Sequence, residues 1–227
     1  VSPSSKARRK GRLWAIGDIH GCSGALRALL EAIDPHPEDT IVTLGDTIDW
    51  GPDSRGVIDL LIDLSGRCNL IPLLGNHEEM LLDALESGPA LRGWLDLGGE
   101  ETLNSYDYDG GGDMIPPEHL RFIRSCRDYY ETETHIYVHA NYDPHLPMDR
   151  MSGTKLRWEP LDLTVLQPHI SGKTVVVGHT PQVGGEVLDL GFLVCIDTDC
   201  SRGGWLTAFC GEVGMVQASE IGLVRWM

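Results

Sequence analysis

Five short apolar runs in this chain each end in a residue that can hold a cation or move a proton. Leu13-Trp14-Ala15-Ile16 leads into Gly17-Asp18-Ile19-His20-Gly21, and Thr40-Ile41-Val42-Thr43-Leu44 into Gly45-Asp46-Thr47-Ile48-Asp49-Trp50-Gly51. Leu70 to Leu74 leads into Gly75-Asn76-His77-Glu78, His135 to Val138 into His139-Ala140, and Thr174 to Val177 into Gly178-His179-Thr180. One Gly-Asp step after a strand is an ordinary turn. Five such endings point instead to a shared site, because ligands of α/β sheets bind at the carboxyl ends of strands. Asp18 and His20 alternate in extended chain, so both can face one side. Together they form a hard–borderline ligand pair suited to a divalent metal. Asp46, Asn76, His139 and His179 complete a set of two aspartates, one asparagine and three histidines. That set is too rich for one metal with open positions. It suits two metals ~3.5–4 Å apart that share a carboxylate, as in phosphatases and nucleases.

The elements that must position these residues alternate in type. Leu13–Ile16, Thr40–Leu44 and Leu70–Leu74 read as strands, each followed by a helical pattern. Ala25, Leu26, Leu29, Leu30 and Ile33 share one face of a helix from about Cys22 to Ile33, which Asp34-Pro35-His36-Pro37 ends. Val57–Leu64 is apolar nearly all round and predicts a well-buried helix. A third helix follows over Glu78–Leu85. Alternation of this kind predicts a mostly parallel sheet with right-handed crossovers. Residues from about 87 to 127 read as a helical insert, within which Tyr106 to Asp113 is an acidic, glycine-rich, exposed loop. Short strands follow at Thr134–Val138, Thr174–Val177, Phe192–Ile196, Trp205–Cys210 and Gly214–Gln217. The late ones read as antiparallel and predict a second sheet packed on the first.

Composition narrows the partners. The chain has 227 residues, 41% hydrophobic and 23% charged, with a formal net charge of −16. Its apolar runs are strand-length, too short to span a membrane. The negative balance argues against nucleic acid but not against phosphorylated substrates, since a bound metal inverts the local field. Six cysteines without a Cys-x-x-Cys pair read as buried free thiols, not a zinc ribbon or dithiol motif. The basic segment Lys6–Arg12 precedes only Leu13–Ile16, too short an apolar run for a signal-peptide core. The expectation is a cytoplasmic monomer or weak oligomer, with a flexible tail over 1–11 and one domain over 12–227.

In this order and spacing, the segments Gly17–Gly21, Gly45–Gly51 and Gly75–Glu78 resemble the three signature motifs of the phosphoprotein phosphatase family. That is the metal-dependent serine/threonine type within the calcineurin-like metallophosphoesterases. Gly75-Asn76-His77-Glu78-Glu79-Met80, Trp94-Leu95 and Gly98-Gly99 resemble its bacterial and phage branch, to which the lambda phosphatase belongs. Val138-His139-Ala140 and Gly178-His179-Thr180 resemble the later metal-histidine segments, so the likeness runs over roughly residues 12–217. The resemblance implies two packed β-sheets flanked by helices and two divalent metals, manganese most often in this branch, with iron and zinc in relatives. It implies that Asp18 and His20 bind one metal, that Asp46 bridges both, and that Asn76, His139 and His179 bind the second. His77 would be the general acid and Asp49 its orienter.

The chemistry so implied is attack on phosphorus by a water made acidic between two cations, with His77 protonating a serine or threonine alkoxide, worth ~10²–10⁴-fold. The substrate would be a phosphorylated protein or a small phosphoester. One departure stands out: the family usually has Arg where this chain has Trp50. An indole cannot form the bidentate phosphate clamp of a guanidinium. Arg157, in Lys155-Leu156-Arg157-Trp158-Glu159, and Arg202, in the turn after Cys195-Ile196-Asp197, are candidate replacements, and Trp50 itself a candidate cap or stacking surface. The missing Arg keeps a dinucleoside polyphosphate hydrolase open as the alternative. A third reading is a metal- or phosphate-binding homologue without catalysis.

Overall fold

The structure is a computed structural model and describes residues 11–227; the expected tail lies outside the described residues apart from Gly11. β1 (Leu13–Ile16), α1 (Ser23–Ile33), β2 (Thr40–Thr43), α2 (Ser54–Ser65), β3 (Asn69–Pro72) and α3 (Asn76–Ala84) follow one another as the alternation predicts. β1, β2 and β3 pair in parallel, with Ile16 opposite Thr43 and Thr43 opposite Pro72. This register is what assembles the site: the chain leaves three neighbouring strands at one edge, and Asp18, Asp46 and Asn76 all lie a few residues beyond it.

α1 buries the five residues its spacing marks and leaves its outer face to solvent. Glu220 caps its start, accepting from the N–H groups of Gly24 (3.3 Å) and Ala25 (2.9 Å). α2 departs from expectation. It buries Val57, Ile58, Leu61 and Leu64 but exposes Arg55, Asp59 and Asp63, so it is a surface helix with one apolar face. The polar residues recur at a spacing that the apolar majority hides.

α4 (Gly88–Trp94), a π-helical turn at Leu95–Gly99, α5 (Glu100–Ser105) and α6 (Pro117–Arg124) fold over α2 and α3. Trp94, Ile115 and Ile123 pack there with Ile48, Ile58 and Leu81. The Tyr106–Asp113 loop has no regular structure, and Asp107, Asp109 and Asp113 are exposed.

The second sheet differs from expectation in its source. It consists of β4 (Tyr129–Glu131), β5 (His135–Val138), β6 (Thr174–Val177), β7 (Leu188–Asp189) and β8 (Leu193–Cys195) in the order β4-β5-β6-β8-β7, with β5, β6 and β8 parallel. α7 (Gly153–Arg157) lies on the β5-to-β6 connection. The late strands β9 (Asp197–Thr198), β10 (Trp205–Cys210), β11 (Gly214–Ala218) and β12 (Val224–Trp226) do not build it. β10 pairs antiparallel with the free edge of β1, so these strands complete the first sheet as β12-β11-β10-β1-β2-β3, with β9 on β10. β10 fits there because Leu206, Ala208 and Cys210 face the α1 core, while Phe209 faces the opposite side. The two sheets meet through Ala15, Val42, Leu44 and Ile71 on one side and Tyr137, Val176, Val194 and Ile196 on the other. The fold is therefore α/β, two packed mixed sheets flanked by helices. Among the described residues no helix is long and apolar enough to cross a membrane.

Candidate metal centre and active site

The turns after the strands are strained and tied together. His20, Asp46, Asp49, Trp50 and His179 all have positive φ, between 47° and 72°. Each such residue costs ~1–2 kcal/mol, which persists only where neighbours over-determine the backbone. Here the N–H groups of Ile19 and His20 both donate to the Asp46 carbonyl (3.0 and 2.8 Å), and Gly21 N–H donates to Thr47 (3.0 Å). The buried carboxylate of Glu78 then takes the N–H groups of Asp46 (2.9 Å), Thr47 (2.7 Å) and Gly75 (3.0 Å), plus the Thr47 hydroxyl (2.7 Å). The approach is so close that a Cβ at Gly75 would lie 2.1 Å from Asp46 Oδ1. Glu78 thus joins the second motif to the third, a role that sequence reasoning missed. Its place in the first turn of α3 reads as a favourable charge at a helix N-terminus.

The donor set fits divalent metals. His20 Nδ1 lies 2.9 Å from the Ile48 carbonyl, His139 Nδ1 2.8 Å from that of Leu44, and His179 Nε2 3.1 Å from that of Trp158. A carbonyl can only accept, so each ring places its N–H outward and a lone pair inward, a tautomer assigned from these partners. Metal-ligating histidines are oriented in this way. Inside, acceptors face one another. His20 Nε2 is 3.5 Å from Asp46 Oδ2, and His139 Nε2 is 3.5 Å from Asp46 Oδ1, 3.0 Å from Asn76 Oδ1 and 3.2 Å from His179 Nδ1. Asp18 Oδ2 accepts from His179 N–H (2.9 Å), while its buried Oδ1 has no hydrogen-bond partner. Lone pairs turned on one another without intervening protons call for cations. The ligand atoms of Asp46, His139 and His179 lie within 4.8 Å of one another, as do those of His20, Asp46 and His77.

Electrostatics agree. Burial keeps His20 neutral, lowering it to about 3, and burial also lowers His139 and His179. Burial, with Asp197 and Asp46 as like charges, raises Asp18 well above the carboxylate range. Burial likewise raises Asp46 to about 8. Asp197, buried beside them, is pushed up to about 6, chiefly by desolvation. A cluster of carboxylates so costly to ionise is one that cations would stabilise. Asp197 was not among the expected site residues, since Ile196-Asp197-Thr198-Asp199 reads as a turn.

His77 differs from the other rings. Its Nδ1 is 2.8 Å from Asp49 Oδ2, and its Nε2 is 4.0 Å from Asp46 Oδ2. Burial opposes its charge, yet the carboxylates of Asp46 and Asp49 outweigh burial and raise it to about 9. His77 is thereby biased toward its protonated form, unlike His20, His139 and His179. Asp49 is fully buried and held as an acceptor by Trp94 Nε1–H (2.9 Å) and the Thr102 hydroxyl (2.6 Å), both from the 87–127 segment.

The candidate phosphate contacts separate. Arg157 spends its terminal nitrogens on Glu79 and Asp128, each at 2.7 Å. Trp158 Nε1–H also donates to Glu79. Arg202 lies over the Trp50 ring, 5.6 Å from its centroid, and Trp50 meets the His77 ring edge-on at 6.2 Å.

A fold of two packed mixed sheets with paired acceptor clusters at the strand ends defines a metallophosphoesterase, and residues 11–194 match the family described as calcineurin-like phosphoesterase. The chain belongs to that family and is a metal-dependent phosphoesterase. Serine/threonine-protein phosphatase 1 of Salmonella typhimurium is 30% identical over 210 residues, covering 89% of this chain and 93% of that one. A symmetrical bis(5'-nucleosyl)-tetraphosphatase of Cellvibrio japonicus is 26% identical, covering 88% and 96%. The solved structure of a cold-active protein-tyrosine phosphatase from a Shewanella species shares the fold, with a TM-score of 0.70 at 17% identity over 96% of this chain and 80% of that one.

Proposed function

We propose that this protein hydrolyses phosphomonoesters, with phosphoserine and phosphothreonine of proteins as its substrates. Asp18, His20 and Asp46 would hold one divalent ion, and Asp46, Asn76, His139 and His179 the other, with manganese as the native metal. The ions would supply Lewis acidity toward phosphoryl oxygens and an acidified water. The rest falls to side chains. As the bond from the attacking oxygen to phosphorus forms and the ester bond breaks, His77 Nε2 gives its proton to the departing serine or threonine oxygen. Asp49 keeps Nδ1–H in place throughout, and solvent returns the proton to Nε2.

The observation that carries this reading is the contrast among the rings: His20, His139 and His179 set Nδ1 or Nε2 against backbone carbonyls and turn lone pairs inward, while His77 sets Nδ1 against the Asp49 carboxylate (2.8 Å), which favours its protonated form. The relative named serine/threonine-protein phosphatase supports the substrate class. Six free cysteines support a reducing, cytoplasmic setting. The relative named bis(5'-nucleosyl)-tetraphosphatase, together with Trp50 at the position of the family Arg, favours a second reading, hydrolysis of dinucleoside polyphosphates. Chelator-stripped protein assayed on p-nitrophenyl phosphate with and without manganese tests the first step. Turnover of a phosphoserine peptide against diadenosine tetraphosphate then separates the two substrates. Turnover that ignores added metal, or no turnover with any divalent metal, overturns the proposal.

A further inference from the structure

Position 50 carries an indole beside the proton donor, and the backbone is distorted to put it there. Trp50 has φ 64 and follows Asp49 at φ 72. The π-helical turn backs it with Gly98, where φ is 102 and a Cβ would lie 2.8 Å from Trp50 N and 3.1 Å from Trp50 Cδ2. Glycine at 98 is what admits the indole so close. Trp50 is nevertheless 38% exposed, with its edge toward His77.

What the indole supports is a cation. Arg202 closes a 3-10 turn, Cys200–Arg202, flanked by left-handed residues Asp199 (φ 61) and Gly203 (φ 87). Its guanidinium carbon lies 5.6 Å from the Trp50 ring centroid, and among the described residues its side chain makes no hydrogen bond or close ion pair. It lines a small pocket with His20, Trp50, Pro181 and Asp197 at the edge of the metal centre. Arg157, by contrast, has both terminal nitrogens paired, with Glu79 and Asp128, and only its buried Nε without a partner.

We propose that Trp50 and Arg202 act as one unit, the indole holding the guanidinium at the His20 side of the site, where it grips the phosphoryl group of the substrate. This deepens the phosphatase reading above and rests on it. The five donors of a guanidinium suit two phosphoryl oxygens at once. A cation–π contact uses none of the guanidinium N–H donors, which stay available for such contacts. Trp50 is here a positioning residue, and Arg202 makes the contact.

The test is binding of inorganic phosphate to the manganese-loaded protein, read by calorimetry and by indole emission, with metal content measured for every variant. Arg202→Ala should weaken phosphate binding about 10- to 100-fold, the value of a charge-assisted contact. Trp50→Ala should weaken it about 2- to 5-fold, the value of an exposed cation–π contact, and Trp50→Phe less. Trp50→Ala should add nothing in an Arg202→Ala background, as expected of residues that act together. Trp50→Arg with Arg202→Ala should recover most of the lost affinity by moving the charge to position 50. Phosphate bound equally well by Arg202→Ala, or Trp50→Ala losses that persist undiminished without Arg202, would overturn the proposal. Metal-loaded wild type that neither binds phosphate nor hydrolyses p-nitrophenyl phosphate would instead remove the phosphatase reading beneath it.

Discussion

Glu78 touches no reacting atom in the proposed reaction, yet its replacement should damage the site more than most ligand changes. Its Oε1 accepts from Thr47 N–H and Thr47 Oγ1–H, and its Oε2 from Asp46 N–H and Gly75 N–H. Gln has the same shape but an NH2 in place of one oxygen. In its best orientation the amide oxygen takes Asp46 N–H and Gly75 N–H, and the NH2 donates to a rotated Thr47 hydroxyl. Thr47 N–H is then buried without an acceptor, at about 1–3 kcal/mol. The two retained backbone bonds lose their charge assistance, about 1 kcal/mol each. Relief of repulsion with Asp18 and Asp46, whose ionisation Glu78 opposes, offsets part of this in metal-free protein. The net expectation for Glu78→Gln is about 2–4 kcal/mol. For a domain of this size that lowers Tm by roughly 5–15 °C. Glu78→Ala orphans three N–H groups, about 3–9 kcal/mol, which rivals the whole stability of a domain. Denaturant and thermal unfolding of chelator-treated wild type and Glu78→Gln give the number directly. A Glu78→Gln protein that melts within a degree or two of wild type would refute the reasoning, because it would mean the two loops hold their shape without the carboxylate.

The proton-donor role predicts a selective loss. His77→Asn should slow hydrolysis of alkyl phosphates ~10²–10⁴-fold but p-nitrophenyl phosphate far less, since that leaving group needs no proton; equal losses on both substrates would contradict the assignment. Metal should also stabilise: manganese at about 100 times its Kd should add about 2.7 kcal/mol per site, and Asp46→Asn should abolish that gain, which calorimetry with and without chelator will read. Away from the site, burial opposes the charge of Asp39, but Arg12 Nε (3.0 Å) and the N–H groups of Arg12 (2.7 Å) and His36 (3.0 Å) hold its carboxyl at about 2, below the ordinary 3.8. A depressed folded pKa adds stability that is complete above pH 3.8 and lost as pH falls through about 2, here about 2 kcal/mol. Asp39→Asn should therefore remove that part of the acid limb in pH-dependent unfolding; an unchanged limb would show that the ion pair contributes nothing.

The residues legible in the sequence are those whose strand and functional turn are neighbours in the chain. Ile16 and Asp18, Thr43 and Asp46, and Val177 and His179 each carry an element and its chemistry within a few positions. An apolar run followed by a polar turn residue is therefore enough to expose them. What stayed silent is non-local. The pairing of β10 with β1 joins the two ends of the chain, and the short pairings of β4, β7, β9 and β12 are too brief to show a period of two. The same holds for the supports of the site. Asp49 reads as half of a motif, but the donors that fix it, Trp94 and Thr102, come from a segment that sequence alone could only describe as helical and polar by turns. Glu78 reads as a helix-start charge and Asp197 as a turn, because nothing local reveals which backbone or carboxylate each will face. A polar side chain declares its chemistry in its type, whereas its partner is declared only by topology. Trp50 is the sharpest case. Locally it is a broken motif, and the residue that answers it in our proposal, Arg202, reaches it because β10 pairs with β1 and carries β9 on its own edge. Judging a departure from a motif thus requires asking what the fold brings to the same spot, since a charge deleted from one loop can be resupplied by another.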